Sequence, residues 1–288
     1  MNDYLLSILL GALEGLTEFL PVSSTAHLRI AEALLHIDLK DGFWKMYSIV
    51  IQLGAILALT AFFWGRILKF VGTFPRGERG DRTALTHPLS LVTIAFVVTA
   101  VPAFLLSKLI GKNLENLHVM ALALLIGGVI MWLVDALFVR PKINRMEEMN
   151  LASAIWIGAV QILSAVFPGT SRSMCTIAAG QIASMSREAA LEFSFFLSIP
   201  TMLVATGYDL LKTLKPHRTS EAIAPLTMTS HQWVVLLLGF IMAFLVALAV
   251  VAWFLRWVRR HGFVPFAIYR ILLGGALLIA LTRGMLGR

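Results

Sequence analysis

Long apolar runs separated by short polar segments dominate the chain. Six of these runs carry few charges and have the length, about 20 residues, that an α-helix needs to cross a bilayer. The pattern therefore predicts an all-α, polytopic membrane protein with six transmembrane helices. The expected spans are about 44–64, 89–107, 118–138, 190–211, 232–255 and 263–282.

Two further apolar runs, 4–36 and 151–186, are each interrupted by a proline followed by a cluster of hydroxyl residues. Backbone that leaves the helical conformation at membrane depth is tolerated only where protein or water covers it. We interpret each run as two short helices folded into a re-entrant hairpin, which enters and leaves the membrane on one side. Each half of the chain then consists of one hairpin followed by three spans.

The two hairpins share a sequence pattern. Gly-Ala-Leu-Glu at 11–14 and Pro-Val-Ser-Ser at 21–24 are matched, 147 residues later, by Gly-Ala-Val-Gln at 158–161 and Pro-Gly-Thr-Ser at 168–171. Because three spans per half is an odd number, the second half starts on the opposite side of the membrane. We expect a single membrane domain, 1–288, built as an inverted-topology repeat whose hairpin tips meet near the midplane. The repeats are about 1–140 and 150–288.

Composition supports a membrane protein and argues against nucleic-acid binding. The chain is 58% hydrophobic and 14% charged, against roughly 25% charged residues in a soluble domain. The net charge of +8 comes from basic residues in short loops, with no aromatic-basic platform, so it fits anionic lipid headgroups better than nucleic acid. One cysteine allows no intrachain disulfide. The N-terminus lacks a cleavable signal peptide, so the mature protein is expected to begin at Met1.

Basic residues predict the orientation in the membrane. Loops on one face hold eleven Lys and Arg residues and loops on the other face hold five, which places the first set in the cytoplasm and both termini outside. The first set is Arg66, Lys69, Arg76, Arg79, Arg82, Arg140, Lys142, Arg145, Arg256, Arg259 and Arg260, and the second is Lys108, Lys112, Lys212, Lys215 and Arg218. Arg29, Lys40 and Lys45, near the N-terminus, weaken this assignment.

Two carboxylates lie in the first short helix. Glu14 and Glu18 are four residues apart and therefore share one face, where like charges repel each other. This arrangement favours a cation, a metal ion or a shared proton between them, since intramembrane carboxylates are usually functional. The alternative is a helix end in the headgroup region with both carboxylates solvated.

The first break combines hydroxyls with a histidine. Pro21 ends the helix and the hydroxyl residues 23–25 start the next one, whose N-terminus favours an anion such as phosphate. His27 lies one turn after Ser24, within reach as its general base. In the alternative interpretation, the hydroxyls only cap the helix and His27 is an interfacial side chain.

The second break carries an arginine among hydroxyls. Gly169 allows the backbone to turn or to approach a ligand closely, and the planar guanidinium of Arg172 suits phosphate oxygens. The alternative for Arg172 is a salt bridge to Glu14 or Glu18, and the two interpretations are compatible. The neighbouring hydroxyls are Ser171, Ser173 and Thr176.

Together these groups favour a phosphate or pyrophosphate on a lipid as the ligand. Transfer of a phosphoryl group to Ser24, or to His27, and then to water would use all of them. The rival function is a transporter or flippase for a polyprenyl phosphate lipid, since broken helices and inverted repeats also serve transport. A phosphatase for soluble substrates is a weaker third interpretation.

Four other polar or thiol residues lie within apolar runs. Arg270 and Asp135 could each belong to the site, but the alternative for Arg270 is a pair with a carboxylate across helices, and Asp135 lies close to a cytoplasmic end. Both are therefore left out of the site assignment. Gln161 is expected to make hydrogen bonds between helices. Cys175 is expected to be a buried packing residue rather than a nucleophile.

Five motifs along the chain are typical of one family. Glu-x-x-x-Glu at 14–18 is followed directly by Phe-Leu-Pro-Val-Ser-Ser-Thr-Ala-His at 19–27. Pro-Gly-x-Ser-Arg-Ser-x-x-Thr occupies 168–176, and two apolar motifs lie at 51–56 and 193–200. On these motifs the chain resembles, over nearly its whole length, the undecaprenyl-diphosphate phosphatase family of bacteria, which is associated with bacitracin resistance.

The resemblance implies a hydrolase of the bacterial cytoplasmic (inner) membrane. It would convert undecaprenyl diphosphate to undecaprenyl phosphate and phosphate on the external face, recycling the lipid carrier for peptidoglycan synthesis. A divalent metal, Mg²⁺ or Ca²⁺, is implied as cofactor. Expected partners are the polyprenyl diphosphate substrate, membrane lipids and, left open, a second copy of the chain; nucleic acid is not expected.

The site assignment follows from the motifs and the residue chemistry together. Met174 and Cys175 occupy positions where the family usually has small residues, which alters packing behind the arginine without an expected loss of activity. We assign catalysis to Glu18, Ser24, His27 and Arg172, metal binding to Glu14 and Glu18, and phosphate binding to Ser23, Thr25, Ser171, Arg172, Ser173 and Thr176.

Overall fold

The structure, a computed structural model, describes residues 2–37, 42–113, 116–214 and 228–284. Lys40, Lys215 and Arg218, and the side chains of Lys112 and Lys212, lie outside the described part. Over the described residues the chain forms twelve α-helices and a short 3₁₀-helix at Met146–Glu148. The α-helices are α1 Asp3–Thr17, α2 Ser24–Leu34, α3 Gly42–Phe62, α4 Trp64–Thr73, α5 Pro88–Leu105, α6 Ser107–Asn113, α7 Leu117–Leu137, α8 Leu151–Val166, α9 Arg172–Ile182, α10 Arg187–Leu214, α11 Ser230–His261 and α12 Val264–Thr282.

Six of these helices are long and apolar enough to cross a membrane: α3, α5, α7, α10, α11 and α12. They coincide with the six predicted spans, with ends that differ by a few residues. The largest difference is in α11, which continues to His261 through the basic residues that follow the apolar core of the span. The prediction of an all-α, polytopic membrane protein is confirmed.

Two short helices were missed in segments that the hydrophobic pattern assigned to loops. The predicted loop 65–88 contains most of α4, and α6 follows α5 directly. In α4, apolar residues recur at helical spacing around Arg66 and Lys69, with Phe70 buried and Trp64 exposed. The helix is amphipathic, so its charges kept it below the hydropathy of a span.

Both interrupted runs form the two short helices that the sequence predicts, α1 and α2 in the first and α8 and α9 in the second. Ser23 and Ser171 are the N-caps of α2 and α9, with φ of 73° and 72°. This left-handed conformation is uncommon for residues other than glycine, and it occurs at matching positions of the two halves. Both breaks therefore share a left-handed φ at the N-cap of the second helix. Re-entry into the membrane and the inverted topology stay predictions.

Each hairpin packs on a span of the other half: α1 lies along α11, and α8 lies along α5. At both crossings a glycine faces backbone, Gly11 against Gly239 and Gly158 against Ala95. Small residues let membrane helices approach closely enough for polar contacts, and Thr99 of α5 donates a hydrogen bond of 2.7 Å to the carbonyl of Gly158. These crossings fix the positions of the two breaks.

We predict that Gly158→Ala destabilises the protein, because the added Cβ would overlap the backbone of Ala95. Overpacking of this kind costs about 1–3 kcal/mol. The measurement is the Tm of the purified protein in detergent. Gly207→Ala in α10 is the matched control, since a Cβ there meets no atom within 4 Å. Equal Tm values for the two variants would contradict the predicted overlap.

Candidate active site

The two helix breaks lie against each other. Ser173 Oγ, in the first turn of α9, donates a hydrogen bond of 2.9 Å to the carbonyl of Leu20 in the first break. The two breaks are therefore in direct contact, as expected, and their position near the midplane of the membrane stays a prediction. The residues predicted to carry chemistry flank this contact on both chain segments.

Glu18 joins the two breaks through both of its carboxylate oxygens. Its Oε2 accepts a short hydrogen bond from the hydroxyl of Ser24, and its Oε1 accepts one of 3.0 Å from Nη2 of Arg172. The side chains in this ion pair are mostly buried, with 12% of Arg172 and 9% of Glu18 exposed. The alternative interpretation of Arg172 as the partner of a carboxylate is thus confirmed for Glu18.

Arg172 also keeps unused capacity for an anion. Its Nη1 is buried and has no hydrogen-bond partner in the described part of the chain. A guanidinium has five N–H donors, and a buried N–H group without an acceptor is costly. A phosphate oxygen would satisfy this donor while the pair with Glu18 stays in place.

Glu14 is fully buried one turn before Glu18, and neither of its carboxyl oxygens has a hydrogen-bond partner among the described residues. An unpaired buried carboxyl is strongly unfavourable. The arrangement fits a cation or a shared proton between the two acids. No group of three or more His, Cys, Asp or Glu side chains forms a metal cluster in the described ranges.

His27 makes its contacts away from Ser24. Its Nε2 lies 2.6 Å from the hydroxyl of Tyr269, and its Nδ1 lies 2.7 Å from the carbonyl oxygen of Ser23. A carbonyl only accepts hydrogen bonds, so Nδ1 carries a proton. Since the hydroxyl of Ser24 is bonded to Glu18, the role of His27 as its base stays a prediction, and the contacts favour Glu18 for that role.

Most of the other predicted phosphate ligands use their hydroxyls within the fold. Ser23 and Ser171 cap the backbone N–H groups of Ala26 and Met174. Ser173 is bonded to Leu20, and the hydroxyls of Thr176 and Ser194 are 2.6 Å apart. Thr25 is half-buried beside Ser24. The structure thus brings Glu14, Glu18, Ser24 and Arg172 together, and phosphate binding by the remaining hydroxyls stays a prediction.

Of the two interpretations of Arg270, the pair with a carboxylate is wrong for the described residues, where its acceptors are carbonyls. It is fully buried and donates hydrogen bonds of 3.1 Å to the carbonyls of Pro21, Ala123 and Gly169. Two of these carbonyls belong to the helix breaks. The signal in the sequence was a lone arginine within an apolar span. Its acceptors are backbone carbonyls, which every residue has, so residue types cannot identify them.

The remaining structural assignments agree with the described contacts. Gln161 donates from Nε2 to Thr99 and Thr201 at 3.2 Å, which confirms an amide that links helices. Asp135 is buried and accepts from Arg187 Nε at 2.7 Å, so it forms an ion pair remote from the breaks. Cys175 is buried and unpaired, as a packing residue would be.

Comparison with known proteins agrees with the motifs. The family model described as "Bacitracin resistance protein BacA" matches residues 7–276. The chain belongs to this family. Curated relatives named undecaprenyl-diphosphatase include one from Koribacter versatilis, 63% identical over 280 residues, covering 96% of this chain and 98% of the relative. Others come from Thermus thermophilus, 42% identical with 93% of each chain covered, and Caldanaerobacter subterraneus subsp. tengcongensis, 39% identical with 96% of each covered. The family resemblance predicted from the sequence is confirmed.

We predict that Glu14→Gln stabilises the protein. The amide removes a buried acid that lacks a partner and lies beside Glu18, and functional sites commonly trade stability for activity in this way. In the absence of substrate and metal, the Tm of the variant should rise by a few degrees. The measurement is thermal unfolding of the purified protein.

Glu32→Gln is the matched control for this prediction. Glu32 is equally buried, but its oxygens accept from Ser48 at 2.9 Å and from Arg29 at 3.1 Å. The same change there weakens two hydrogen bonds, one of them charge-assisted, and should lower the Tm. A Tm for Glu14→Gln that falls as far as that of Glu32→Gln would show that Glu14 has stabilising partners.

Proposed function

We propose that this protein hydrolyses undecaprenyl diphosphate to undecaprenyl phosphate and inorganic phosphate. It is a multi-pass membrane hydrolase of the BacA family, and its curated relatives carry the name of that activity. Recycling of the lipid carrier for peptidoglycan synthesis, and with it bacitracin resistance, follows from that activity. The observation that carries the proposal is the contact of Glu18 with both Ser24 and Arg172 where the two helix breaks meet.

The chemistry begins with Ser24 as the nucleophile. Its oxygen attacks the terminal phosphorus, and the hydroxyl proton passes to Glu18, the carboxylate already bonded to it. The bond from the terminal phosphorus to the bridging oxygen breaks, and undecaprenyl phosphate leaves with that oxygen. Water then attacks the phosphoserine and the bond from phosphorus to Oγ of Ser24 breaks. Oγ takes back the proton held by Glu18, and inorganic phosphate leaves with the oxygen and protons of the water. Throughout, Arg172 balances the negative charge on the equatorial oxygens.

The N-termini of α2 and α9 add to this charge balance. Helix N-termini present free N–H groups and a partial positive charge, both of which favour phosphate. Ser24 and Arg172 are the first residues of these two helices. The phosphate would therefore lie between two helix starts, one carrying the nucleophile and the other carrying the guanidinium.

A divalent metal, Mg²⁺ or Ca²⁺, fits the two carboxylates. Glu14 and Glu18 would hold it, since Glu14 has two buried oxygens without partners and both ions prefer oxygen ligands. When bound, the metal neutralises charge on the diphosphate and polarises a phosphoryl oxygen. The residues that act on the substrate remain Ser24 and Arg172.

The membrane placement is also part of this proposal. We place the protein in the bacterial cytoplasmic (inner) membrane, with the site open to the external side and both termini external. The loops richest in Lys and Arg lie on the face opposite the termini, and such loops face the cytoplasm. A homodimer is left open. The transporter alternative is not favoured, since the relatives are named as phosphatases and transport alone requires neither a nucleophile nor its base.

We predict that a phosphoserine forms at Ser24. Purified protein is mixed briefly with undecaprenyl diphosphate carrying a labelled terminal phosphate and then denatured. Label that survives acid but not alkali, and that is absent from Ser24→Ala, identifies phosphoserine. Phosphate release by Ser24→Ala should fall by at least about 100-fold.

Acid-labile label that persists in Ser24→Ala and disappears in His27→Gln would instead identify a phosphohistidine. A wild-type protein that releases no phosphate, together with a Ser24→Ala variant that still moves lipid across vesicles, would reject the enzyme altogether. Thr60→Ala in α3 is the control, since it removes a hydroxyl that donates to the carbonyl of Ile56 and belongs to no assigned site residue.

We predict that chelation of divalent ions lowers phosphate release and that added Mg²⁺ or Ca²⁺ restores it. Glu14→Gln should require a higher metal concentration for half-maximal activity, because one of two carboxylate ligands is lost. Titration of each metal against phosphate release measures this concentration. Glu32→Gln, outside the proposed pair, should keep the wild-type value, and an unchanged value for Glu14→Gln would remove Glu14 from the metal site.

A further inference from the structure

Arg270 contacts both helix breaks where they meet. It belongs to α12 and is fully buried. Its Nη1 donates to the carbonyl of Pro21 in the first break, and its Nη2 donates to the carbonyl of Gly169 in the second, both at 3.1 Å. One guanidinium therefore holds a backbone oxygen of each hairpin.

This contact satisfies two unfavourable features at once. A helix that breaks in an apolar interior leaves carbonyl oxygens without intrahelical N–H partners. A buried guanidinium needs acceptors for its N–H groups, and within the described part of the chain Arg270 forms no ion pair with a carboxylate. The carbonyls supply acceptors for Nη1 and Nη2, whereas Nε has no partner among the described residues. In turn, the guanidinium supplies donors to a carbonyl of each break.

The two carbonyls lie close to the reacting groups along the chain. Pro21 is three residues after Glu18 and three residues before Ser24, and Gly169 is three residues before Arg172. A shift of either carbonyl therefore moves the side chains that flank it. The distance from Ser24 and Glu18 to Arg172 depends on how the two breaks are held together.

Gly127 in α7 leaves the space through which Arg270 reaches the second break. A Cβ at Gly127 would overlap Nη2 of Arg270 and would lie 2.8 Å from Cε of Met174. The guanidinium passes α7 at this point and also donates to the carbonyl of Ala123, one turn earlier. A side chain at 127 would displace the guanidinium without removing its charge.

We propose that Arg270 is a positioning residue, which holds the carbonyls of Pro21 and Gly169 together and so sets Ser24 and Glu18 at the working distance from Arg172. Gly127 makes this possible by leaving room for the guanidinium. The inference rests on the proposed phosphatase site, whose geometry it explains. Arg270 touches backbone at both breaks and acts through the residues that flank them.

The experiment compares Arg270→Met, Arg270→Lys and Gly127→Ala in phosphate release from undecaprenyl diphosphate, well below the Tm of each variant. Misplacement of reacting groups by about 1 Å can lower the rate about 100-fold. We expect Arg270→Met to lose roughly that much kcat with little change in KM, since an interaction felt mainly in the transition state is lost. Arg270→Lys should recover part of the loss, because an ammonium still donates but lacks the planar fork.

Gly127→Ala tests the geometry without changing any charge. It should lower kcat by about tenfold or more, on the same reasoning. Gly275→Ala on α12 is its matched control, because a Cβ there meets no atom within 4 Å, and it should keep the wild-type kcat. This pair of variants decides the matter if Arg270→Met does not fold.

The inference is overturned if Arg270→Met keeps kcat within about threefold of wild type, or raises KM while kcat is unchanged, since that pattern marks uniform binding. It is also overturned if Gly127→Ala and Gly275→Ala are equally active. Ser24→Ala, measured in parallel, separates this failure from failure of the proposed site. Full activity of Ser24→Ala would reject the proposed serine nucleophile, whereas its inactivity beside a fully active Arg270→Met would reject only the positioning role.

Discussion

Two helices broken inside an apolar protein must satisfy the backbone groups and charges that the breaks expose, and the architecture of the site depends on this constraint. Local caps satisfy only part of each break: Ser23 and Ser171 accept from the N–H groups of Ala26 and Met174. Contacts between the two breaks satisfy further groups. Ser173 donates to the first break, Arg172 pairs with Glu18 across the contact, and Arg270 donates to a carbonyl on each side.

The same contacts that satisfy the breaks also create reactivity. Glu18 is held between a guanidinium and a hydroxyl, so it is placed to take the proton of Ser24 while its charge is balanced by Arg172. Glu14, by contrast, has no hydrogen-bond partner among the described residues. Such an unsatisfied buried group is the kind of local cost that functional sites retain and scaffolds eliminate. The bonded Glu18 therefore holds the two breaks together and activates Ser24, whereas the unpartnered Glu14 is available to a cation or a shared proton.

Much of this could be predicted from the sequence because it depends on local pattern. Apolar length identified the six spans, and proline followed by hydroxyls identified the two breaks, since both signals lie within short windows. A salt bridge of Arg172 to Glu14 or Glu18 was one of two interpretations, because only a few charges lie within the apolar runs, and the structure shows it with Glu18. The short amphipathic helix α4 was missed because its charged residues lower the hydropathy of the segment below that of a membrane span.

What could not be predicted depends on backbone atoms and on packing between distant segments. The partners of Arg270 are carbonyls, which every residue has, so no residue type pointed to them. The bond of Ser24 to Glu18 rather than to His27 follows from how the first break folds back, which spacing along a helix does not reveal. Tyr269 as the partner of His27 is 242 positions away in sequence.

The most direct measurement is an experimental structure of the protein with orthovanadate, a phosphate analogue that occupies phosphoryl-transfer sites. The account predicts vanadium bonded to, or in line with, Oγ of Ser24, with a vanadate oxygen on the buried Nη1 of Arg172. Vanadate bound elsewhere, with Ser24 and Arg172 both still engaged only by Glu18, would contradict it.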